Sequence, residues 1–125
     1  MIQEQLAFLP GSLPDYQPFP PAKERTAWQA LPLRAKQRFL QAGETALQTA
    51  LAPLPLTLWL DFTRTGRRTA WETAYFSRRA RLCALVCAEC VEHKGRFLDA
   101  IADTIWTLCE ESAWQLPAHN SYVRD

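Results

Sequence analysis

Beta structure has no foothold in this sequence. No stretch alternates apolar and polar residues over the length of a strand, and no Asn-Gly or Asp-Gly pair offers a tight hairpin turn. Glycine occurs only four times and never in a phosphate-cradling run, and neither a G-x-S-x-G elbow nor an H-E-x-x-H pair is present. No apolar run approaches the roughly 18 residues that a membrane span needs. A formal net charge of +1 gives no general argument for nucleic acid or an anionic membrane as partner. The basic run Arg78–Arg79 with Arg81 is short and gives way to apolar residues. The N-terminus lacks both a basic region and a long apolar region, so it does not read as a secretory signal. The expected location is cytoplasmic, with the periplasm left open if the N-terminus is incomplete.

What is present is helix. The 125 residues suit about one domain, and an apolar share of 48% with 22% charged residues is ordinary for a folded chain. Residues 1–21 form a proline-heavy segment, in which Pro10, Pro14, Pro18, Pro20 and Pro21 remove backbone donors and forbid regular structure. Residues 22–125 form the helical domain. Apolar spacing and Pro or Gly punctuation predict helices over Ala22–Ala30, Leu33–Leu51, Leu56–Thr65, Thr69–Lys94 and Arg96–Ser112. Gly66 suits a C-terminal stop, and Gly43 is either tolerated or marks a close helix crossing. The segment Ala80–Val91 is apolar nearly all round, which predicts burial among neighbours, and Glu89 within it then needs a hydrogen-bonding partner. The one-glycine break at Gly95 predicts an antiparallel pairing of the last two helices.

Four cysteines have an even count without the look of a disulfide framework. Cys83, Cys87 and Cys90 fall at i, i+4 and i+7 of one helix and share a flank. A metal site completed by Cys109 or His93, or a redox pair, fits that spacing. Metal pairs are more usually set in loops, and packing of small soft side chains in a helix–helix seam is the reading adopted. No metal or other cofactor is expected.

The stretch Ile105–Asn120, IWTLCEESAWQLPAHN, is the most distinctive. Continued as a helix through Trp114, it puts Phe97, Leu98, Ile101, Ile105 and Leu108 on one face, the expected core. Asp99, Asp103, Trp106, Glu110 and Trp114 fall on the other. Two indoles among carboxylates suggest a surface that meets a ligand, so the candidate binding wall is Trp106, Glu110, Glu111, Trp114, His119 and Asn120. Adjacent Glu110 and Glu111 diverge on a helix and cannot face each other as a glycosidase acid pair. They also sit at the helix end where negative charge is unfavourable, a hint of work other than stabilising that helix. His93, by contrast, suits a helix cap.

Several blocks in order extend this reading: FTRTG at Phe62–Gly66, YFSRR at Tyr75–Arg79, GRFLD at Gly95–Asp99, WTLCEESAW at Trp106–Trp114 and PAHN at Pro117–Asn120. Over roughly Leu31–Asn120 the chain resembles the N-terminal region of heparinase II/III-like polysaccharide lyases. The resemblance implies an all-α fold of antiparallel helical hairpins forming part of an incomplete (α/α) toroid. It implies a cleft for an acidic polysaccharide or oligosaccharide, cut by β-elimination at uronic acid residues. Family members carry their Asn-Asn-Trp-Asn and tyrosine-bearing segments, further toroid hairpins and a β-sandwich in sequence that would lie beyond Asp125. The chain alone is therefore expected to be inactive, with no catalytic residue of its own. The alternative is a non-catalytic helical interaction module. Convergence of Trp106, Trp114 and His119 in one pocket would favour the first, and their full burial in a seam the second.

Overall fold

The structure, a computed structural model, describes residues 18–119. It is all-helical over that range, with no strand among the described residues. The helices are α1 (Arg25–Gln29), α2 (Leu33–Gln48), α3 (Leu56–Thr65), α4 (Thr69–Glu92) and α5 (Leu98–Cys109), followed by a 3-10 turn at Pro117–His119. Most of the proline-rich segment lies outside the described residues, as does Asn120. No helix among them is long and apolar enough to cross a membrane.

The long helix α4 organises the rest. It packs most extensively against α2 and next against α5, and α1 and α3 touch it over shorter stretches. Ala46, Leu85, Ala88 and Phe97 form the buried centre, with Leu47, Ala84, Ala100 and Ile101 around it. Gly43 marks the close crossing that its position in α2 allowed. A Cβ there would lie 2.3 Å from the Ala88 methyl and 3.0 Å from the Phe97 ring. Glycine lowers helix propensity by about 1 kcal/mol, and here the close approach of α2 to α4 outweighs that.

Two helix ends close on left-handed backbone. Gly66, at φ 75°, caps α3 through its N–H to Phe62 O, 2.8 Å. His93, at φ 56°, caps α4 with a 2.7 Å bond to Glu89 O. The buried-side carboxylate of Glu89 finds the partners it needs, accepting from Gly95 N at 2.7 Å and Phe97 N at 3.2 Å. Those bonds hold the backbone in a turn, so α5 begins at Leu98 instead of Arg96. The same end of α4 is tied from a second side. Arg25 donates to the last carbonyls of that helix, Cys90 O at 2.7 Å and Val91 O at 3.0 Å. Arg96 bonds to Glu44 and Glu92, which pushes its guanidinium further up, while Arg96 holds the Glu44 carboxyl below its ordinary range.

Two expected faces are corrected. On α5, Phe97 and Leu108 are buried but Leu98 and Ile105 are exposed, and fully buried Thr104 takes the place assigned to aliphatics. Thr104 donates to Ala100 O and accepts from Arg81 Nε, so the face pressed on α4 is turned toward that polar contact. On α4, Leu85 and Ala88 are sealed, yet Phe76, Ala80, Cys83 and Val86 are exposed. Only one flank of this helix has neighbours among the described residues. Cys83, Cys87 and Cys90 lie on the opposite flank, not in a seam, Cys83 exposed and the other two half-buried, and Cys109 at the end of α5 is exposed. Among the described residues no His, Cys, Asp or Glu cluster of three could hold a metal ion.

Two outcomes follow. Gly43→Ala should destabilise the protein by about 2 kcal/mol, the overpacking cost exceeding the helix-propensity gain, as a lowered urea midpoint. Partial burial raises the Cys87 and Cys90 thiols above their ordinary range. Iodoacetamide at neutral pH, read by mass spectrometry, should therefore label Cys83 and Cys109 before either of them.

Candidate functional site

The segment after α5 is held by arginines of α4. Glu111 turns inward, with its side chain only 3% exposed, and its Oε1 accepts from Arg78 Nη1 at 2.9 Å. Its Oε2 accepts from Arg79 Nη2 at 2.7 Å. Arg78 also donates from Nε to Ala52 O at 2.6 Å, which brings the α2–α3 connection to the same point. Arg79 stacks over Tyr75, 3.2 Å from guanidinium carbon to ring centroid, and the Tyr75 hydroxyl donates to Trp114 O at 2.7 Å. Along α4 in reverse, Arg81, Arg79, Arg78 and Tyr75 thus meet Thr104, Glu111 and Trp114 in forward order.

This anchoring ends α5 early. The helix stops at Cys109 and the next bonds tighten, Glu111 N donating to Leu108 O at 3.2 Å. Trp114 therefore does not share a helical face with Trp106 and Glu110, a correction to the wheel drawn through it. Both indoles are nonetheless presented to solvent, Trp106 at 70% and Trp114 at 64% exposure. Trp106 Nε1 donates to Glu110 Oε1 at 2.8 Å, so this indole is steered by the carboxylate one turn on. His119 ends the 3-10 turn and is exposed.

Beside this wall lies a half-open recess of about 710 Å³. Leu54, Leu56, Trp59 and Trp71 form one side, with the two indoles edge-to-face at 5.0 Å between centroids. Thr107, Glu110, Glu111 and Ser112 form the other, and Arg78 also lines the recess. Of the six wall residues read from sequence, Glu110 and Glu111 line this recess. Trp106, Trp114 and His119 lie outside its lining, and Asn120 is outside the described residues. Trp59, Trp71 and Arg78 were missed by the sequence reading. In sequence Trp71 and Arg78 look like core and a solvated basic run, and only the return of the chain through Ala52 and Glu111 brings them to one place.

Glu111 and Glu110 should separate cleanly on mutation. Glu111→Ala leaves Arg78, with a side chain 9% exposed, without its counter-charge. A loss of about 3–5 kcal/mol is expected in urea unfolding. Glu110→Ala removes one exposed bond and should cost less than about 1 kcal/mol. Equal losses would mean that the arginine contacts do not hold the segment.

Set beside known proteins, the chain matches no protein-family model and no curated sequence.

Proposed function

We propose that this chain is the sugar-contacting N-terminal helical part of a heparinase II/III-like polysaccharide lyase, built as a partial (α/α) toroid of antiparallel helical hairpins. The observation that carries the reading is the pair of exposed indoles, Trp106 and Trp114, standing beside an aromatic-lined recess. Leaving two such rings facing water is costly unless something flat and partly apolar covers them, and a pyranose face does so. The block resemblance from Phe62 to Asn120 supports the same substrate class, an acidic polysaccharide or oligosaccharide.

The chain's part in the reaction is binding. β-Elimination needs the substrate carboxylate neutralised, a base for the proton beside it and an acid for the leaving oxygen. Glu111 is committed to two arginines and Glu110 to the Trp106 indole, so neither carboxylate stands free as a base. The chain alone should release no unsaturated uronide, measured by ultraviolet absorbance.

A second reading, a helical interaction module, draws on the exposed apolar residues Phe76, Val86, Leu98 and Ile105. Titration with a uronic acid oligosaccharide separates the two. Under the first, Trp106→Ala and Trp114→Ala each weaken binding about 3- to 10-fold, the worth of one aromatic contact. Affinity unchanged in both variants removes the wall from the sugar site. Self-association in sedimentation that is abolished by charged substitutions at Val86 and Ile105 would support the second.

A further inference from the structure

We propose that the N-terminal segment, residues 1–17, folds back along α4 and docks Ile2, Leu6 and Leu9 on the apolar flank that no described element covers. The occupant of that flank is this chain itself, whatever the Trp106 and Trp114 wall meets.

The flank has the pattern of a seam. At 100° per residue, Phe76, Ala80, Cys83, Cys87 and Cys90 fall within about 40° of one line along α4. Fully buried Leu85 points the opposite way. Phe76 is 51% exposed, Ala80 and Cys83 are exposed, and Cys87 and Cys90 are half-buried. From Phe76 to Cys90 no Asp, Glu, Lys or Arg shares the line. An uncharged stripe about four turns long suits a covered helix face better than a solvated one.

Arg25 fixes where the chain enters. Its Nη1 donates to Ala22 O at 2.8 Å and to Cys90 O at 2.7 Å, so the backbone just after the segment stands at the Cys90 end of the stripe. Trp28 Nε1 donates to Pro21 O at 3.1 Å and holds the same turn. From Cys90 back to Phe76 the stripe runs about 21 Å at helical rise. Residues 10–17, when extended, reach about 26 Å, enough to carry residues 2–9 along all of it. The other end of the chain, residues 120–125, offers only Tyr122 and Val123 beside Arg124 and Asp125.

The segment also fits. Ile2, Leu6 and Leu9 stand at i, i+4 and i+7, the spacing of Phe76, Ala80 and Cys83. Gln3, Glu4 and Gln5 lie off that line, and Pro10 with Gly11 ends the run. Eight residues are too few to hold a helix alone in water, so this one needs a surface. Ala80, Cys83 and Cys87 are small, and large side chains set over small ones fill a helix–helix seam. A second copy would set the small residues against their own kind and fill it less well.

Iodoacetamide labelling of the full chain at neutral pH, read by mass spectrometry, tests the cover, with exposed Cys109 on α5 as internal reference. In the wild-type chain Cys109 should react first, with Cys83 behind it and still ahead of Cys87 and Cys90. Leu6→Asp with Leu9→Asp should speed Cys83 at least about fivefold and leave Cys109 unchanged, because carboxylates resist docking on an apolar face. Cys83 as fast as Cys109 in the wild-type chain, or unmoved in the double variant, overturns the cover. A second variant, Leu6→Cys, is oxidised with diamide as an equal mixture of ¹⁴N and ¹⁵N chains. A disulfide to Cys83 or Cys87 within one chain supports the docking. A link between two chains puts a second copy on the flank, and a link to Cys109, or none, puts the segment elsewhere. Each of these overturns it. Should the aspartate variant fail to fold, the cross-link decides alone.

Discussion

The structure depends on what three arginines of one helix do with their charge. Arg78, Arg79 and Arg81 stand on the half of α4 that faces other elements, where an unpartnered guanidinium would be costly. Each is consumed by backbone or side-chain acceptors. Arg81 donates to Ala46 O and Thr49 O at the end of α2 and to Thr104 Oγ1 of α5. Arg78 takes Ala52 O and Glu111, and Arg79 takes Tyr75 O and Glu111. These contacts meet carbonyls where helices leave acceptors open, so they satisfy two needs at once. They also tie the α2–α3 connection, α5 and the segment after α5 to α4.

That polar column explains why so small an apolar centre suffices to set the arrangement. The sealed side chains are few, and Gly43 lets α2 come close enough for Ala88 and Phe97 to fill the crossing. Above this centre, the helix contacts are polar and directional. The recess is a by-product of the same geometry. Ala52 and Glu111 are drawn to Arg78 from two sides, and the space between α3 and the segment after α5 stays open.

Helix placement was largely legible, because proline and glycine punctuation is local. Leu56–Thr65 falls where Pro55 and Gly66 put it, and Gly43 is the close crossing that its place in α2 allowed. Faces were less legible. A helical wheel assigns Leu98 and Ile105 to the core on hydropathy alone, whereas the bond from Arg81 of α4 to Thr104 of α5 decides which side of α5 is pressed inward. The cysteine flank of α4 reads as a seam in sequence, but nothing among the described residues covers Cys83 or Val86. Of the candidate site, Trp106, Glu110 and Trp114 are exposed and Glu111 is not. That division follows from which acid an arginine 33 residues earlier happens to reach.

The sequence by itself determined that residues 18–119 are helical and, to within a few residues, where the first four helices begin and end, since periodicity, proline and glycine act within a few residues of where they stand. It also set aside a reading of Glu110 and Glu111 as a facing acid pair, because neighbours on a helix diverge. Only the tertiary structure decided that α5 ends at Cys109, that Glu111 becomes a buried counter-ion, and that Trp59, Trp71 and Arg78 share one recess. The reason is range. Capping and helix phase are local, whereas desolvating a guanidinium recruits whichever acceptor the fold brings near, however distant in the chain.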